Sequence, residues 1–505
     1  MRTILRLSLV LCLAASLFAF PAHTVASDFA PDDAPPDGFQ FVEGVPVPPV
    51  ENEEPAEESP RAVAAVTRYL TLTGLDFHPT DSDMGYSSVN GGLYATALVP
   101  GYGFYAACQL PYGSSVTGIT FFVIDNEELV DISLAAWRYT PSTDSLYAIS
   151  SETTTDSSAS IQAIDLVGGL PFTISNSTYA YRLRVEFTAT GQSQILYGAR
   201  ISYTPPEVLP PTDYITLAGA DFHSNSSNMT FAAQGGTLYA TAIDPTYTFQ
   251  TRLDLPQGAT ITQVTWYVID NHASNFYMSL KTHRPSDDSV TTPASVTSSD
   301  PSPNLQTFNE VISTTVDNST RSYYISFLPE AASSDLRIVG ARIRYTQPDS
   351  PELTSTVKTF SGVHFASSGS DLTYRALGAK LYALGLATNR SFQVSLNLPS
   401  GVHIHKITFY FVDDSVDDLA LFGRYYYPTS GSYSDRVSGS SYGDLAGVRT
   451  FTFSDISIVM GVLDSYDMVS RLRVSPGAAS DELLLVGATV EYLVPRVYLP
   501  LVEID

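Results

Sequence analysis

Cysteine, basic residues and long hydrophobic segments are all scarce in this sequence. Two cysteines occur in 505 residues, which excludes a disulfide framework and a cysteine-based zinc site. Only 26 basic residues stand against 52 acidic ones, for a formal charge of −26. Because phosphate binding needs clustered Lys and Arg, this balance excludes nucleic acid as a partner and disfavours an anionic membrane surface. Outside the N-terminus there is no apolar run of the ~20 residues that a membrane span requires.

The N-terminus has the pattern of a secretory signal. Two arginines precede an apolar stretch from Leu7 to Phe20, and small residues follow around Ala26. The stretch is shorter than the ~20 residues of a spanning helix, so we predict a cleaved signal peptide over residues 1–26. Cleavage leaves Cys108 as the remaining cysteine; its apolar neighbours predict a buried thiol, with an intermolecular disulfide as the alternative.

Residues 27–66 are acidic and rich in proline. Like charges repel, proline removes backbone donors, and little apolar surface is left to offset the entropy of ordering. We therefore expect a disordered, extended linker.

Internal repetition is the strongest feature of the chain. The segment Gly74-Leu75-Asp76-Phe77 recurs at 219–222 and again at 362–365. Three further landmarks recur in register with it: a Leu-Tyr-Ala triplet, a Leu-Pro pair followed by Gly, and a closing strand that begins Gly-Ala. This predicts three homologous domains joined by short Pro-rich linkers, hence a semi-rigid string. Their bounds are 67–205, 212–348 and 355–494.

Each copy has the sequence pattern of antiparallel β structure. The runs 119–124, 264–269 and 407–412 are β-branched or aromatic at nearly every position, which is typical of a central strand covered on both faces. The closing strands instead alternate apolar and polar residues. Turn residues recur about every 8–12 positions. We predict an all-β protein of three tandem antiparallel β-sandwich, jelly-roll-like domains.

Two recurring polar positions invite a functional interpretation. Asp125, Asp270 and Asp413 each follow the central strand, where an Asx turn is the preferred interpretation and a cation site the alternative. Asp81 and Asp83 resemble a fragment of a calcium loop, although a third carboxylate and a distal glutamate are missing. We interpret them as a polar turn, with calcium as the alternative metal and no other cofactor expected.

Aromatic residues beside polar loops are candidates for stacking on sugars. They are Trp137 and Tyr139 in the first copy, and Tyr425 and Tyr427 in the third. The second copy has His283 at the matching place, and tyrosine is also common on half-buried β surfaces.

Enzyme motifs are not supported. Residues 439–443 match G-x-S-x-G around Ser441, but no helical pattern follows, as that nucleophile motif requires. We therefore expect a protein that is not an enzyme. The apolar tail 495–505 is β-prone and predicts an edge strand that pairs with its own domain or with another subunit.

The overall plan is similar to that of secreted bacterial surface proteins with tandem sandwich domains, in architecture rather than in any motif. It implies a secreted, extracellular structural or adhesive protein, attached to the cell surface, whose partners are further copies or other surface components. The alternative is a carbohydrate-binding protein that uses the aromatic loop residues to bind glycans.

Overall fold

The computed structural model describes most of the chain after residue 66. The described residues are 67–89, 92–206, 211–244, 247–347, 356–377, 379–385, 390–396, 398, 402–427, 430, 432–441, 445–454, 456, 458–459 and 469–493. The predicted signal peptide (1–26), the linker (27–66) and the tail (495–505) lie outside them. No helix in the described part of the chain is long and apolar enough to cross a bilayer.

The described chain is all-β with antiparallel sheets, which confirms that part of the prediction. We number the strands in chain order and call the three groups repeats 1, 2 and 3. Repeat 1 contains β1 (Arg68–Thr73), β2 (His78–Pro79), β3 (Tyr86–Val89), β4 (Gly92–Ala95), β5 (Phe104–Ala107), β6 (Ser115–Asp125), β7 (Ser133–Thr140), β8 (Ser145–Thr153), β9 (Ser158–Asp165), β10 (Phe172–Thr173), β11 (Ala180–Glu186) and β12 (Gln194–Thr204).

Repeat 3 has the same order of strands as repeat 1, and repeat 2 has one strand fewer because one long strand occupies the place of β9 and β10. Repeat 2 contains β13 (Thr212–Ala218), β14 (His223–Ser224), β15 (Thr230–Gln234), β16 (Thr237–Ala242), β17 (Phe249–Leu253), β18 (Thr260–Asp270), β19 (Phe276–Arg284), β20 (Ser289–Thr297), β21 (Ser302–Thr315), β22 (Ser322–Pro329) and β23 (Leu336–Thr346). Repeat 3 contains β24 (Thr356–Ser361), β25 (Ala366–Ser367), β26 (Thr373–Leu377), β27 (Lys380–Gly385), β28 (Phe392–Ser395), β29 (His403–Asp413), β30 (Leu419–Tyr427), β31 (Ser432–Ser440), β32 (Leu445–Phe453), β33 (Ile458–Val459), β34 (Val469–Pro476) and β35 (Leu483–Leu493). Short 3-10 turns lie at Gly74–Asp76, Pro141–Thr143, Gly219–Asp221 and Gly362–His364.

The described strands form two sheets in each repeat. The smaller sheet has five strands throughout, in the orders β2-β5-β11-β7-β8, β14-β17-β22-β19-β20 and β25-β28-β34-β30-β31. The larger sheet is built around a central strand, β6, β18 or β29, which has a partner on each side as the apolar runs predicted. Side chains from both sheets contribute to one hydrophobic core per repeat.

The three repeats do not form a string; the third returns to the first. Ser82 of repeat 1 donates its N–H to the Phe231 carbonyl of repeat 2 at 2.9 Å, and its Oγ accepts the Phe231 N–H at 3.0 Å. The same two-bond contact, here called the serine clamp, occurs at all three junctions: Ser82 with Phe231, Ser227 with Tyr374, and Ser370 with Tyr86. Because the last of these joins repeat 3 to repeat 1, the repeats close into a ring.

A second set of equivalent residues also forms contacts across the junctions, at positions away from the clamps. Arg182 of repeat 1 contacts Asp221 of repeat 2 at 2.9 Å, with both side chains buried. Arg471 of repeat 3 contacts Asp76 of repeat 1 at 3.1 Å. At the remaining junction the same positions carry Tyr324 and His364, whose rings meet edge to face at 5.9 Å.

The predicted semi-rigid string is therefore wrong. Each repeat carries apolar and hydrogen-bonding surface that its own two sheets do not cover, and a neighbouring repeat covers it. Tyr139, Tyr267 and Val339, for example, belong to a buried cluster that spans repeats 1 and 2. Arg342 of repeat 2 donates to the Ser177 carbonyl oxygen of repeat 1 at 2.6 Å.

Candidate functional site

A pocket lies where the three repeats meet, and we call it the axial pocket. Its volume is about 130 Å³, and β2, β14 and β25 contribute equivalent segments to it. Each segment follows the 3-10 turn of the Gly-x-x-Phe landmark, whose phenylalanine is buried in the core of its own repeat. Since successive side chains of an extended chain point to opposite sides, the next residue is directed at the axis. Those next residues are His78, His223 and Ala366.

The two imidazoles of the pocket are stacked on each other. Their ring centroids are 5.4 Å apart at an interplanar angle of 23°. Burial lowers the pKa of His223 to about 3, and His78 adds to that shift. Burial also lowers the pKa of His78. Both rings are therefore neutral at neutral pH, and each offers one N–H donor and one acceptor nitrogen.

The two rings differ in their hydrogen bonding. His223 Nε2 lies 3.5 Å from the Val363 carbonyl oxygen. The backbone of His78 pairs with that of Tyr105, and its partly exposed ring stacks on His223 without a side-chain hydrogen bond to a described residue. Since the His78 ring lines the pocket, its nitrogens can bind a water or a ligand there.

The rest of the pocket lining is uncharged. None of the described lining residues is an Asp, Glu, Lys or Arg. Polar surface comes from serines and Asn225, while Met84, Met229 and Leu372 form an apolar part. The site thus combines hydroxyl and imidazole groups with hydrocarbon, in a chain whose formal charge is −26.

The calcium candidates belong to the junction between repeats 1 and 2. Asp81 Oδ1 accepts the Asp83 N–H at 2.8 Å, which is an Asx turn. Asp81 also forms a β-bridge with Ala232, and its burial raises the pKa of its carboxyl group. In the part of the chain that the structure describes, no group of three or more His, Cys, Asp or Glu side chains could hold a metal ion, so the calcium alternative gains no third ligand.

The predicted sugar-stacking residues are not gathered into one platform. Tyr139 is fully buried against Gly236 of repeat 2, and its hydroxyl donates to Asp144 Oδ1 at 2.7 Å. Tyr425 lies in the core of repeat 3 with 4% of its surface exposed. Stacking on a sugar from solvent is closed to both rings. Trp137 and Tyr427 are partly buried, on strands of different repeats.

The aspartates after the central strands act largely as predicted. Asp125 Oδ1 accepts the N–H of the residue two positions on, at 3.3 Å, and Asp270 does the same at 3.2 Å. These are the Asx turns that the sequence predicted. Asp413 differs, because both of its buried carboxylate oxygens lack a hydrogen-bond partner among the described residues.

Ser441 of the G-x-S-x-G match lies directly after β31. It is fully buried, and its Oγ accepts the Leu419 N–H at 2.7 Å. The hydroxyl thus supports the backbone of β30 and is closed to a substrate from solvent.

Cys108 is buried, as its apolar neighbours predicted, and is a free thiol. Burial raises its pKa, and the thiolate is the reactive form of cysteine. We expect Ellman's reagent to leave the folded protein unlabelled at pH 8 over an hour, and to label Cys108 fully in guanidinium chloride. Rapid labelling of the folded protein would show that the thiol is accessible.

Sequence analysis missed the residues that build the axial pocket and its clamps. His78 and His223 stand next to the repeated phenylalanine, and a serine occurs at the same position in all three copies: Ser82, Ser227 and Ser370. The recurrence was a usable signal. Recurrence indicates homology, but by itself it does not indicate that the recurring positions meet in space.

Comparison with known proteins gives only distant likenesses. No protein-family model and no curated protein matches the chain. Similar solved structures include the N-terminal CBM22-1-CBM22-2 tandem domain of Paenibacillus barcinonensis Xyn10C, with 11% identity, 57% of this chain and 99% of that chain covered, and a TM-score of 0.22. An Arthrobacter globiformis T6 isomalto-dextranase in complex with panose is 12% identical, with 48% of this chain and 36% of that chain covered and a TM-score of 0.25. A chain of Sulfolobus Turreted Icosahedral Virus is 9% identical, with 82% of this chain and 89% of that chain covered and a TM-score of 0.19. None of these shows a family for the chain.

Proposed function

We propose that this protein is a secreted, non-enzymatic structural or adhesive element of the cell surface. In this proposal each repeat is a jelly-roll-like sandwich, and the three repeats act together as one rigid building block. The closure of the ring by the Ser370–Tyr86 clamp is the observation that carries the proposal.

Ring closure supports a structural role through rigidity. Each repeat is held by two neighbours rather than one, so opening at any junction must disrupt buried contacts elsewhere. In a closed ring the contacts between repeats, and not the Pro-rich linkers, set the distance between them. The ring is therefore stiffer and shorter than a string of three domains would be. Such a body suits repeated assembly or the presentation of a fixed surface.

Two further features agree with an extracellular role. The signal-like N-terminus supports secretion. In the described residues β21 forms an edge of its sheet, and its Val311 is 82% exposed. An unpaired edge strand of this kind supports association with further copies or other surface components.

Carbohydrate binding through the aromatic loop residues is the second candidate and has less support. Two of its four rings, Tyr139 and Tyr425, are buried. Glycan binding at those residues would therefore depend on Trp137 and Tyr427 alone.

Secretion and rigidity are tested separately. Cell fractionation with N-terminal sequencing should find the protein outside the cytoplasmic membrane, cleaved near residue 26; an uncleaved cytoplasmic protein would contradict the proposal. Small-angle scattering on residues 27–505 should show a compact body with a radius of gyration of about 22 Å for the repeats. Rod-like scattering, or three separate unfolding transitions, would contradict the rigid ring.

Assembly is tested with the C-terminal tail. Light scattering and electron microscopy of residues 27–505, with and without calcium, should show defined oligomers or filaments. Deletion of residues 495–505 should block assembly if the tail is the connector, while the repeats stay folded. Unchanged assembly would assign the contact to edge strands such as β21, and a monomer under all conditions would contradict self-assembly.

A further inference from the structure

We propose that the axial pocket is a binding site for one small, neutral, polyhydroxylated molecule, of the size and chemistry of a single sugar unit. The proposal goes beyond the structural role and does not depend on it. It also differs from sugar stacking on the predicted aromatic residues, because it uses none of them.

One of the three equivalent positions around the pocket lacks a large side chain. Repeats 1 and 2 direct His78 and His223 at the axis, whereas repeat 3 has Ala366 at the equivalent position. A third imidazole would occupy the space beside the stacked pair. Alanine leaves that space empty of side chain, and the pocket of about 130 Å³ includes it. One water needs roughly 10–15 Å³ of such a pocket, so the volume has room for on the order of ten water-sized groups.

The His78 imidazole can form hydrogen bonds with a ligand in the pocket. The His78 ring lines the pocket and has no side-chain hydrogen bond to a described residue, and burial lowers its pKa, so the ring presents a neutral donor and a neutral acceptor. Hydroxyl groups, which both donate and accept, satisfy such a ring completely. A carboxylate accepts only and an ammonium donates only, so each would leave one nitrogen of a fixed tautomer unmatched.

The described lining of the pocket is uncharged. A charged ligand would lose its hydration in the pocket without gaining an ion pair, because no acidic or basic side chain is among the described lining residues. The apolar part formed by Met84, Met229 and Leu372 suits the C–H face of a sugar ring. A metal ion is a poorer fit, since the two histidines gain no third ligand in the described chain.

The test is titration calorimetry, supported by saturation-transfer NMR, on residues 27–505. The probes are glucose, galactose, mannose and xylose, with glucosamine and glucuronate as charged counterparts. We expect saturable binding of at least one neutral sugar and binding about tenfold or more weaker for its charged counterpart, a difference that one unmatched polar group accounts for. Absence of binding by all the neutral sugars, or equal binding of the charged ones, would overturn the proposal.

Matched variants locate the site. Ala366→His installs the residue that repeats 1 and 2 already carry there and should abolish binding with an unchanged melting temperature. His78→Phe keeps a stacked ring, removes both hydrogen-bonding groups and should weaken binding about tenfold, which provides a second readout if Ala366→His does not fold. Trp137→Ala is the control outside the pocket and should bind normally. Loss of binding in Trp137→Ala, with binding kept in Ala366→His, would assign the sugar to the aromatic loops and overturn the axial site.

Failure of this inference is distinguishable from failure of the structural proposal. Fractionation, scattering and assembly do not involve the pocket, and sugar titration does not depend on where the protein resides.

Discussion

Replacement of Arg182 by tyrosine should lower the free energy of unfolding by about 3–5 kcal/mol, because it leaves a buried carboxylate without its counter-charge. The Arg182 and Asp221 side chains are 0% and 2% exposed and lie 2.9 Å apart. Arg182 also stacks over Tyr105 and Tyr139 and donates to the Gly236 carbonyl oxygen at 3.3 Å. All these contacts join repeat 1 to repeat 2 or support that junction, so their loss weakens the ring directly.

The size of this effect should depend on pH. Burial raises the pKa of Asp221 above its ordinary value of 3.8, and Arg182 opposes the shift. Without Arg182 the folded-state pKa rises further, so the folded variant binds a proton more readily than the unfolded chain does. Its stability then falls as the pH rises from about 4 through that folded-state pKa. The gap between wild type and variant should be smaller at pH 4.5 than at pH 8, measured by denaturant unfolding at each pH.

The chain itself provides the matched control for this prediction. The junction between repeats 2 and 3 carries the neutral pair Tyr324 and His364 at the equivalent positions. His364 Nδ1 accepts the Ser361 N–H at 3.3 Å, just as Asp221 accepts the Ala218 N–H at 2.7 Å. The double variant Arg182→Tyr/Asp221→His should therefore be more stable than Arg182→Tyr alone. A single variant that loses less than ~1 kcal/mol, or a double variant no better than the single, would show that the charge pair contributes little.

Replacement of Gly219 by alanine should destabilise the protein by about 3 kcal/mol, since the added methyl group meets backbone that has no space to move. A Cβ at this position would lie 2.0 Å from the Ile338 carbonyl oxygen and 2.8 Å from the Leu238 nitrogen. Both atoms belong to strands of the larger sheet of repeat 2, where the 3-10 turn packs across them. The equivalent glycines, Gly74 and Gly362, have the same close approach, at 2.2 and 2.1 Å.

Gly118→Ala is the control for this prediction. Gly118 lies in β6, and the nearest atoms to its added Cβ are 3.6 Å away, which is ordinary contact. Its stability should stay within about 0.5 kcal/mol of wild type. Both variants are measured by guanidinium chloride unfolding at pH 7. A Gly219→Ala protein as stable as Gly118→Ala would mean that the turn shifts away from the sheet at little cost.

These two positions show how far sequence analysis reached. The repeated Gly-x-x-Phe landmark was visible from the residues alone, and so was its recurrence in register. The reason for the glycine was not, because the atom nearest to an added Cβ, the Ile338 carbonyl oxygen, belongs to a strand that lies 119 positions further along the chain. Likewise, Asp221 and Arg182 had no detectable relation in the sequence.

The sequence by itself determined the local structure of this protein. Residue type and period-two alternation led to the antiparallel β structure, the central strands covered on both faces, the buried Cys108, and the Asx turns at Asp125 and Asp270. These properties depend on residues within one strand or one turn, or on how apolar the immediate neighbours are.

Only the tertiary structure decided how the repeats are arranged and what their shared surfaces do. The clamp between Ser370 and Tyr86 joins residues 284 positions apart, and periodicity within a strand carries no information on which distant surface will cover it. Docking buried Tyr139 between two repeats, paired the backbone of Asp81 with that of Ala232 in repeat 2, and brought His78, His223 and Ala366 to one axis. The physical reason is that polar and apolar groups left open by one repeat are satisfied by its neighbour only once the ring has closed.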